Sequence, residues 1–273
     1  MSSTLTATPT SAAASARTAA TRAPSLAGDA LTMVGRCIRL SRRDLDAMLT
    51  SLMLPVMLML LFVYLFGGAI HTGTKYVTYV VPGVLLLCAA FGAATTAVTV
   101  CQDMTGAIID RFRSMDVRGS AVLAGHVMAS AVRNTASTVV VFAVAFLIGF
   151  RPQAGPLGWL GATGVLLLFV LAISWLSATI GLVVSSPEAA GGFTFFAMFL
   201  PYPSSAFVPV DTMPTWIHGF ANHQPATPVI ETLRGMLLGQ PVGSSVWQAV
   251  AWCGGILAVS VALAGVLFRR RTS

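Results

Sequence analysis

Side chains able to carry out acid–base or metal chemistry are few in this sequence, and they do not cluster. His218 and His223 stand five residues apart in a proline-rich segment, and His71 and His126 are far from them. A five-residue spacing fits poorly on one helical face, so the pair is a weak metal-ligand pattern. No HExxH or GxSxG motif occurs. The sequence therefore predicts no metal site and no catalytic residue.

The sequence also predicts no activated nucleophile and no nucleotide-binding loop. Ser137, Ser174 and Ser177 fall inside apolar stretches, but no histidine is expected at their depth. The chain has no GxxxxGK(S/T) loop that could cradle phosphates. Its four cysteines lack CxxC spacing and are interpreted as reduced packing residues. We therefore expect no cofactor on this chain and no enzymatic activity of its own.

Composition instead indicates an integral membrane protein. Of the 273 residues, 56% are hydrophobic and 9% are charged, with a mean hydropathy of +0.82. Soluble domains carry about 25% charged residues. A membrane-spanning helix needs about 20 apolar residues, and charge-poor runs of that length predict six spans. Their approximate bounds are 50–70, 80–101, 127–149, 158–183, 189–206 and 246–268. The third span requires Arg133 to extend towards the interface.

Basic residues orient these spans. With the N-terminus inside, twelve of the sixteen Lys and Arg side chains fall on the cytoplasmic side and three, Lys75, Arg151 and Arg234, fall outside. Such a bias follows the positive-inside rule, so both termini are predicted to be cytoplasmic. The formal net charge of +7 is then explained by membrane orientation, and no nucleic-acid partner is expected.

Two segments precede the first span. Residues 1–27 are rich in Ser, Thr and Ala, and they are interpreted as a disordered cytoplasmic tail. Residues 26–49 place apolar side chains on a narrow arc with basic side chains on its flank. This pattern predicts an amphipathic helix in the headgroup layer, or alternatively a cytoplasmic helix packed on protein.

The charged connection between spans two and three is predicted to contain a short amphipathic helix. Its apolar face holds Ile108, Ile109, Phe112 and Met115. Its polar face holds Asp110, Arg111, Arg113 and Ser114. Such a helix suits docking into a groove on a cytoplasmic partner, and packing against the inner membrane surface is the alternative.

A proline-broken stretch, residues 193–239, separates spans five and six. Its freed backbone groups cannot lie bare in lipid, so it must sit at the interface, in an aqueous vestibule or inside protein. We predict an outer cap with hinges at proline, an exposed Asp211, an interfacial Trp216 and a Glu231–Arg234 pair at i,i+3 spacing. The predicted outer residues are Pro201, Tyr202, Pro203, Asp211, Trp216, Glu231 and Arg234.

Three places in the sequence resemble the ABC-2 type permeases, and most closely their daunorubicin-resistance, drug-exporting branch. They are SSAFVPVDTMPTWIHGFANHQPATPVIETLRGMLLG in the cap stretch, DMTGAIIDRFRSMDVRGSAVLAG in the loop, and FRRR at the C-terminus. The similarity covers residues 28–271. Met115-Asp116 stands where relatives often have a proline. The difference affects the expected turn after the helix of the connection.

The resemblance implies an all-α fold in which residues 28–273 form the transmembrane domain. It implies a permease subunit that exports a hydrophobic small molecule across a bacterial plasma membrane. Two copies of a separate ATPase, carrying ATP and Mg, would dock from the cytoplasm, and a second permease copy or paralogue would complete the pathway within membrane lipids. The coupling helix would be formed by Ile108, Ile109, Asp110, Arg111, Phe112 and Arg113, and the cap stretch would form a re-entrant or extracellular helical hairpin.

Two alternatives remain at this point. The same architecture could export a lipid, a glycolipid or a polysaccharide. A membrane-embedded enzyme or scaffold would need polar residues that meet inside the membrane, and the sequence shows no such set.

Overall fold

The computed structural model describes residues 45–70, 72–105 and 119–272. The predicted N-terminal tail, most of the predicted interfacial helix and all six predicted coupling residues, 108–113, lie outside these ranges. Those predictions are therefore not tested by the structure.

Within the described ranges the chain forms eight α-helices and no strand. They are α1 (Leu45–Leu61), α2 (Tyr76–Thr105), α3 (Gly119–Leu147), α4 (Pro156–Val183), α5 (Pro187–Phe199), α6 (Thr215–His223), α7 (Ala226–Leu238) and α8 (Ser245–Thr272). A π-helical turn, Phe62–Phe66, extends α1, and a 3-10 turn, Val210–Thr212, precedes α6. The predicted all-α class is confirmed for the described part of the chain.

Four of the described helices are long and apolar enough to cross a membrane. Their spanning segments are Tyr76–Thr105, Val122–Leu147, Pro156–Val183 and Ser245–Phe268, which coincide with predicted spans two, three, four and six. At the first predicted span the apolar helix Leu52–Phe66 is shorter, and at the fifth α5 has 13 residues. The count of six spans therefore stays a prediction.

The short α5 ends where proline enters the chain. Leu200 closes the helix, and the prolines at 201 and 203 follow it. Proline disfavours helical geometry in the residue before it and has no N–H to continue the ladder. The chain then passes through turns over residues 200–207. We call residues 200–239 the cap, and the end of the bundle that it covers the cap end.

Helix α2 is the centre of the bundle, because 20 of its 30 residues are buried. Helix α4 runs parallel to it. Gly181 near the end of α4 lies beside Ala97 of α2, while Ala162 near the start of α4 shares a cavity wall with Leu85. Both helices, like α8, therefore begin at the cap end. The opposite end, where α2 ends and α3 begins, is called the loop end.

Small residues set the distance between these helices. A Cβ placed on Gly181 would lie 2.5 Å from the carbonyl oxygen of Ala97, and one on Gly92 would lie 2.3 Å from Oδ1 of Asn134 on α3. The contact at Gly92 shows that α2 and α3 pack closely at this position. Between α4 and α8, the Thr179 hydroxyl donates to the carbonyl oxygen of Ser260 at 3.0 Å.

Replacing Gly181 by alanine should destabilise the protein, because the added methyl group meets a backbone oxygen that cannot move alone. Overpacking of this kind costs about 1–3 kcal/mol. The matched control is Gly164→Ala on the same helix, where a Cβ meets nothing within 4 Å. Thermal unfolding in detergent should show a lower midpoint for Gly181→Ala only, since alanine is otherwise the better helix former. Equal midpoints would contradict the close contact between α2 and α4.

Candidate functional site

The cap contains a helix that lies inside the bundle. Helix α7 follows Pro225 and ends at Gly239, whose φ of 65° places it in the left-handed region. There the N–H of Gln240 donates to the carbonyl oxygen of Gly235 at 2.8 Å, which is a helix-ending bond that glycine favours. Ten of the 13 residues of α7 are buried, against α2, α4 and α8. The sequence predicts a helical hairpin here, and α6 and α7 occupy that position.

Arg234 on α7 connects the cap to the start of α2. Its guanidinium donates to the carbonyl oxygen of Ser205 at 2.6 Å and to that of Tyr79 at 3.3 Å. It also lies 3.8 Å from the centre of the Tyr79 ring, a cation–π contact. The third partner is Glu231, at 3.3 Å. The predicted i,i+3 pair is confirmed, but it is one contact among several.

Other side chains also donate hydrogen bonds to the carbonyl oxygens of the proline-broken turn. The Tyr76 hydroxyl donates to the carbonyl oxygen of Phe207 at 2.8 Å, and the Gln224 amide donates to that of Pro203. The Phe207 ring also stacks on Phe62 with centroids 4.4 Å apart. Backbone groups freed by the prolines are thus paired with donors from α2 and from the cap itself.

A polar cleft of about 760 Å³ opens beside this network. Asp211, Glu231 and Arg234, three of the predicted outer residues, line it together with Tyr79 and Trp252. The remaining lining residues are Thr72, Ser205, Pro209, Val210, Asn222, His223, Thr227, Pro228, Ser245 and Gln248. This cleft brings together groups that are distant in the sequence.

The other predicted outer residues lie elsewhere. Trp216 is 80% exposed on α6, and its interfacial position stays a prediction. Pro201, Tyr202 and Pro203 form the turn after α5, where the Tyr202 ring lies 5.3 Å from that of Phe207. These three residues shape the turn and do not line the cleft.

The two cap histidines bond to their own segment. A ring nitrogen of His218 lies 2.8 Å from the carbonyl oxygen of Met213, and one of His223 lies 2.8 Å from that of Gly219. Across the described residues, no group of three His, Cys, Asp or Glu side chains could hold a metal ion.

At the loop end, His126 and Asp103 form a pair that the sequence reasoning missed. Nε2 of His126 lies 3.0 Å from a carboxylate oxygen of Asp103, and the histidine is 9% exposed. The pair joins α2 to α3 on either side of the predicted coupling segment. A signal was available, because both residues stand at the same depth at the ends of neighbouring predicted spans.

Polar residues also meet inside the bundle, which corrects the sequence-based expectation that no such set exists. The hydroxyls of Ser130 and Ser174 lie 2.9 Å apart, and the Asn134 amide donates to the carbonyl oxygen of Ser130 at 3.0 Å. The cluster consists of hydroxyls and an amide and contains no acid or base. Such residues commonly join membrane helices, so the cluster gives no support to an embedded enzyme.

Replacing Arg234 by lysine should loosen the cap, because an ammonium cannot match the forked contacts to two carbonyl oxygens and the Tyr79 ring. Leaving a buried carbonyl without a donor costs about 1–3 kcal/mol. The control, Glu231→Gln, changes a half-exposed ion pair worth less than about 1 kcal/mol. Limited proteolysis of residues 208–214 should accelerate in Arg234→Lys and stay near the wild-type rate in Glu231→Gln. The reverse order would assign the cap's stability to the ion pair.

Comparison with known proteins identifies the chain's relatives. The sequence model of a family described as "ABC-2 type transporter" matches residues 29–238. The daunorubicin resistance ABC transporter permease protein DrrB1 of Streptomyces coeruleorubidus is 29% identical over 223 residues, which cover 81% of this chain and 79% of that protein. The probable doxorubicin resistance ABC transporter permease protein DrrC of Mycobacterium tuberculosis is 23% identical over 245 residues, 89% of each chain.

The family match runs from α1 to the end of α7 and includes the cap up to Leu238. It also covers the predicted coupling segment, which is outside the described residues. The resemblance that the sequence motifs indicated is confirmed. The chain belongs to the ABC-2 type transporter family.

Proposed function

We propose that this chain is the permease subunit of an ATP-driven exporter that moves a hydrophobic, drug-like small molecule out of a bacterial cell. The observation that carries the proposal is the family match over residues 29–238. The names of the two relatives, daunorubicin and doxorubicin resistance permeases, favour a drug over a lipid or a polysaccharide as substrate.

The energy source in this proposal is a separate ATPase, present in two copies and carrying ATP and Mg, because this sequence has no P-loop. A second permease copy or paralogue forms the other wall of the pathway. The ATPase docks on the coupling segment 108–113. The Asp103–His126 pair supports this role, because it fixes the two helices from which that segment extends.

The basic residues define the direction of the bundle in the membrane. Arg111, Arg113 and Arg118 follow α2 at the loop end, and three further arginines end the chain there, so the loop end faces the cytoplasm. The cap end then faces the exterior. The polar cleft with Asp211 and Glu231 lies on the exit side of the pathway, where water can solvate its charges.

Replacing Phe112 by aspartate should weaken docking of the ATPase and so reduce ATP-dependent transport. The change removes the largest apolar side chain of the predicted docking face, and loss of a central aromatic anchor costs about 2 kcal/mol, or roughly 30-fold in ATPase affinity. The matched control is Ser114→Asp, which adds the same charge to the predicted polar face of the same segment. Both variants are co-expressed and co-purified with the partner ATPase, and doxorubicin uptake into inverted vesicles is measured.

We expect ATPase recovery and ATP-dependent uptake to fall together in Phe112→Asp and to persist in Ser114→Asp. Uptake that survives in Phe112→Asp would remove the coupling assignment. ATP-dependent transfer of a fluorescent lipid by the wild type, without doxorubicin uptake, would replace the drug by a lipid as substrate.

A cysteine at position 211 should react with a membrane-impermeant thiol reagent added to intact cells, because Asp211 is exposed on the cap. The variant Asp211→Cys is made in a Cys37→Ser background, since the other three cysteines are buried. The control, Ser185→Cys, replaces an exposed residue in the link between α4 and α5 at the loop end. It should react only after the membrane is opened. Labelling of position 185 alone in intact cells would invert the proposed topology.

A further inference from the structure

A second cavity lies on the side of α7 opposite to the polar cleft. It has a volume of about 230 Å³ and is enclosed by α2, α3, α4 and α7. An engineered apolar cavity of about 150 Å³ is already large enough to bind benzene. The deep wall consists of buried side chains, including Leu85, Ala162, Leu166 and Leu233. No sequence pattern predicted this cavity, and the proposed transport pathway between two permeases does not use it.

The cavity opens through the flank of the bundle and not through its end. Four residues both line it and are exposed: Thr135 and Val139 on α3, and Thr163 and Leu167 on α4. Val139 is 62% exposed. The mouth is therefore a lateral gap between α3 and α4, two of the helices that are long and apolar enough to span the membrane. A molecule that enters through it comes from the hydrocarbon layer.

The depth of the cavity matches one leaflet. On α4 its lining extends from Trp159, in the first turn of the helix, to Val170. At 1.5 Å per residue these eleven steps cover about 16 Å. The hydrocarbon core of a bilayer is about 30 Å thick, so the cavity extends from the interface at the cap end to about the midplane. A tryptophan at the upper end of the cavity fits the usual interfacial position of that residue.

The lining selects an apolar chain without polar substituents. It consists of aliphatic and aromatic side chains, with Phe142 and Trp159 packed at 5.4 Å between ring centroids. Its polar groups are three threonine hydroxyls and one indole N–H. The Thr135 hydroxyl already donates to the carbonyl oxygen of Ala131 at 2.8 Å. A drug-like molecule bound here would leave most of its polar groups without partners, which is costly in an apolar cavity.

We propose that this cavity binds one acyl chain of a phospholipid from the leaflet at the cap end. The chain enters between α3 and α4 and packs against Leu233 and Leu237 of α7. The opposite face of the same helix carries Glu231 and Arg234 to the polar cleft. In this proposal the lipid is a structural ligand that stabilises the position of α7 by packing against it from the membrane side. This proposal goes beyond the transport function and does not depend on the identity of the exported substrate.

The test uses the purified full-length protein, reconstituted in phosphatidylcholine vesicles that contain a phosphatidylcholine with a diazirine in the middle of one acyl chain. After illumination, mass spectrometry quantifies adducts on the peptides that contain Val139 and Leu166. The main variant is Thr163→Trp, which closes the mouth at an exposed position, and the second is Ala162→Leu, which fills the deep wall. The control is Leu160→Trp, which adds the same indole to α4 at a residue that is 71% exposed and does not line the cavity.

Wild-type protein and Leu160→Trp should give strong adducts on both peptides. Thr163→Trp and Ala162→Leu should remove most of the adducts, because the added side chains occupy the space that the acyl chain would fill. Unchanged adducts in both cavity variants would overturn the proposal. So would an efficient disulfide between two copies of Val139→Cys, because the mouth would then be covered by protein. Retention of the wild-type elution volume on gel filtration confirms that a loss of adduct is not a loss of fold.

Discussion

A carbonyl oxygen that leaves a helix within a membrane protein has no bulk water from which to accept a hydrogen bond, and the prolines of the cap create several such oxygens. The structure supplies a side-chain donor for each of those described above. Arg234 donates to the carbonyl oxygen of Ser205, Tyr76 to that of Phe207, and the Gln224 amide to that of Pro203. Arg234 also donates to the carbonyl oxygen of Tyr79 in the first turn of α2. The position of α7 follows from this requirement, because its arginine must reach both the turn after α5 and the start of α2. The polar cleft lies beside α7 because Glu231 and Arg234 on this helix line it.

The sequence predicted the parts of this arrangement that depend on neighbouring residues. Charge-poor runs predicted the four long helices, but the predicted fifth span, 189–206, continued past the end of α5 at Phe199. The spacing of Glu231 and Arg234 predicted their pair. These signals are local, so they can be interpreted without the fold. The identity of the family also came from contiguous motifs, and the family match confirms it.

Contacts between residues that are distant in the chain could not be predicted from these local patterns. The amphipathic pattern of α7 indicates two faces but does not say that one faces a polar cleft and the other a cavity in the membrane. The pair of Asp103 and His126 and the cluster around Ser130 both depend on the register between helices. That register is set by glycines such as Gly92 and Gly181, whose contacts appear only after the helices are placed. The cavity beside α4 depends on the same register, because it is the space that the packed side chains of four helices leave unfilled.

The contact between Arg234 and Tyr79 also has a consequence for biogenesis. The two residues are 155 positions apart in the chain. At synthesis rates of about 5–20 residues per second, Arg234 is made roughly 8–30 s after Tyr79. Helix α2 is synthesised early, and its contact with Arg234 can form only after α3, α4 and α5 have been translated. The cap is completed after these helices and before α8, so a ribosome that stalls before residue 234 leaves a chain that can form α1 to α5 but cannot close the cap.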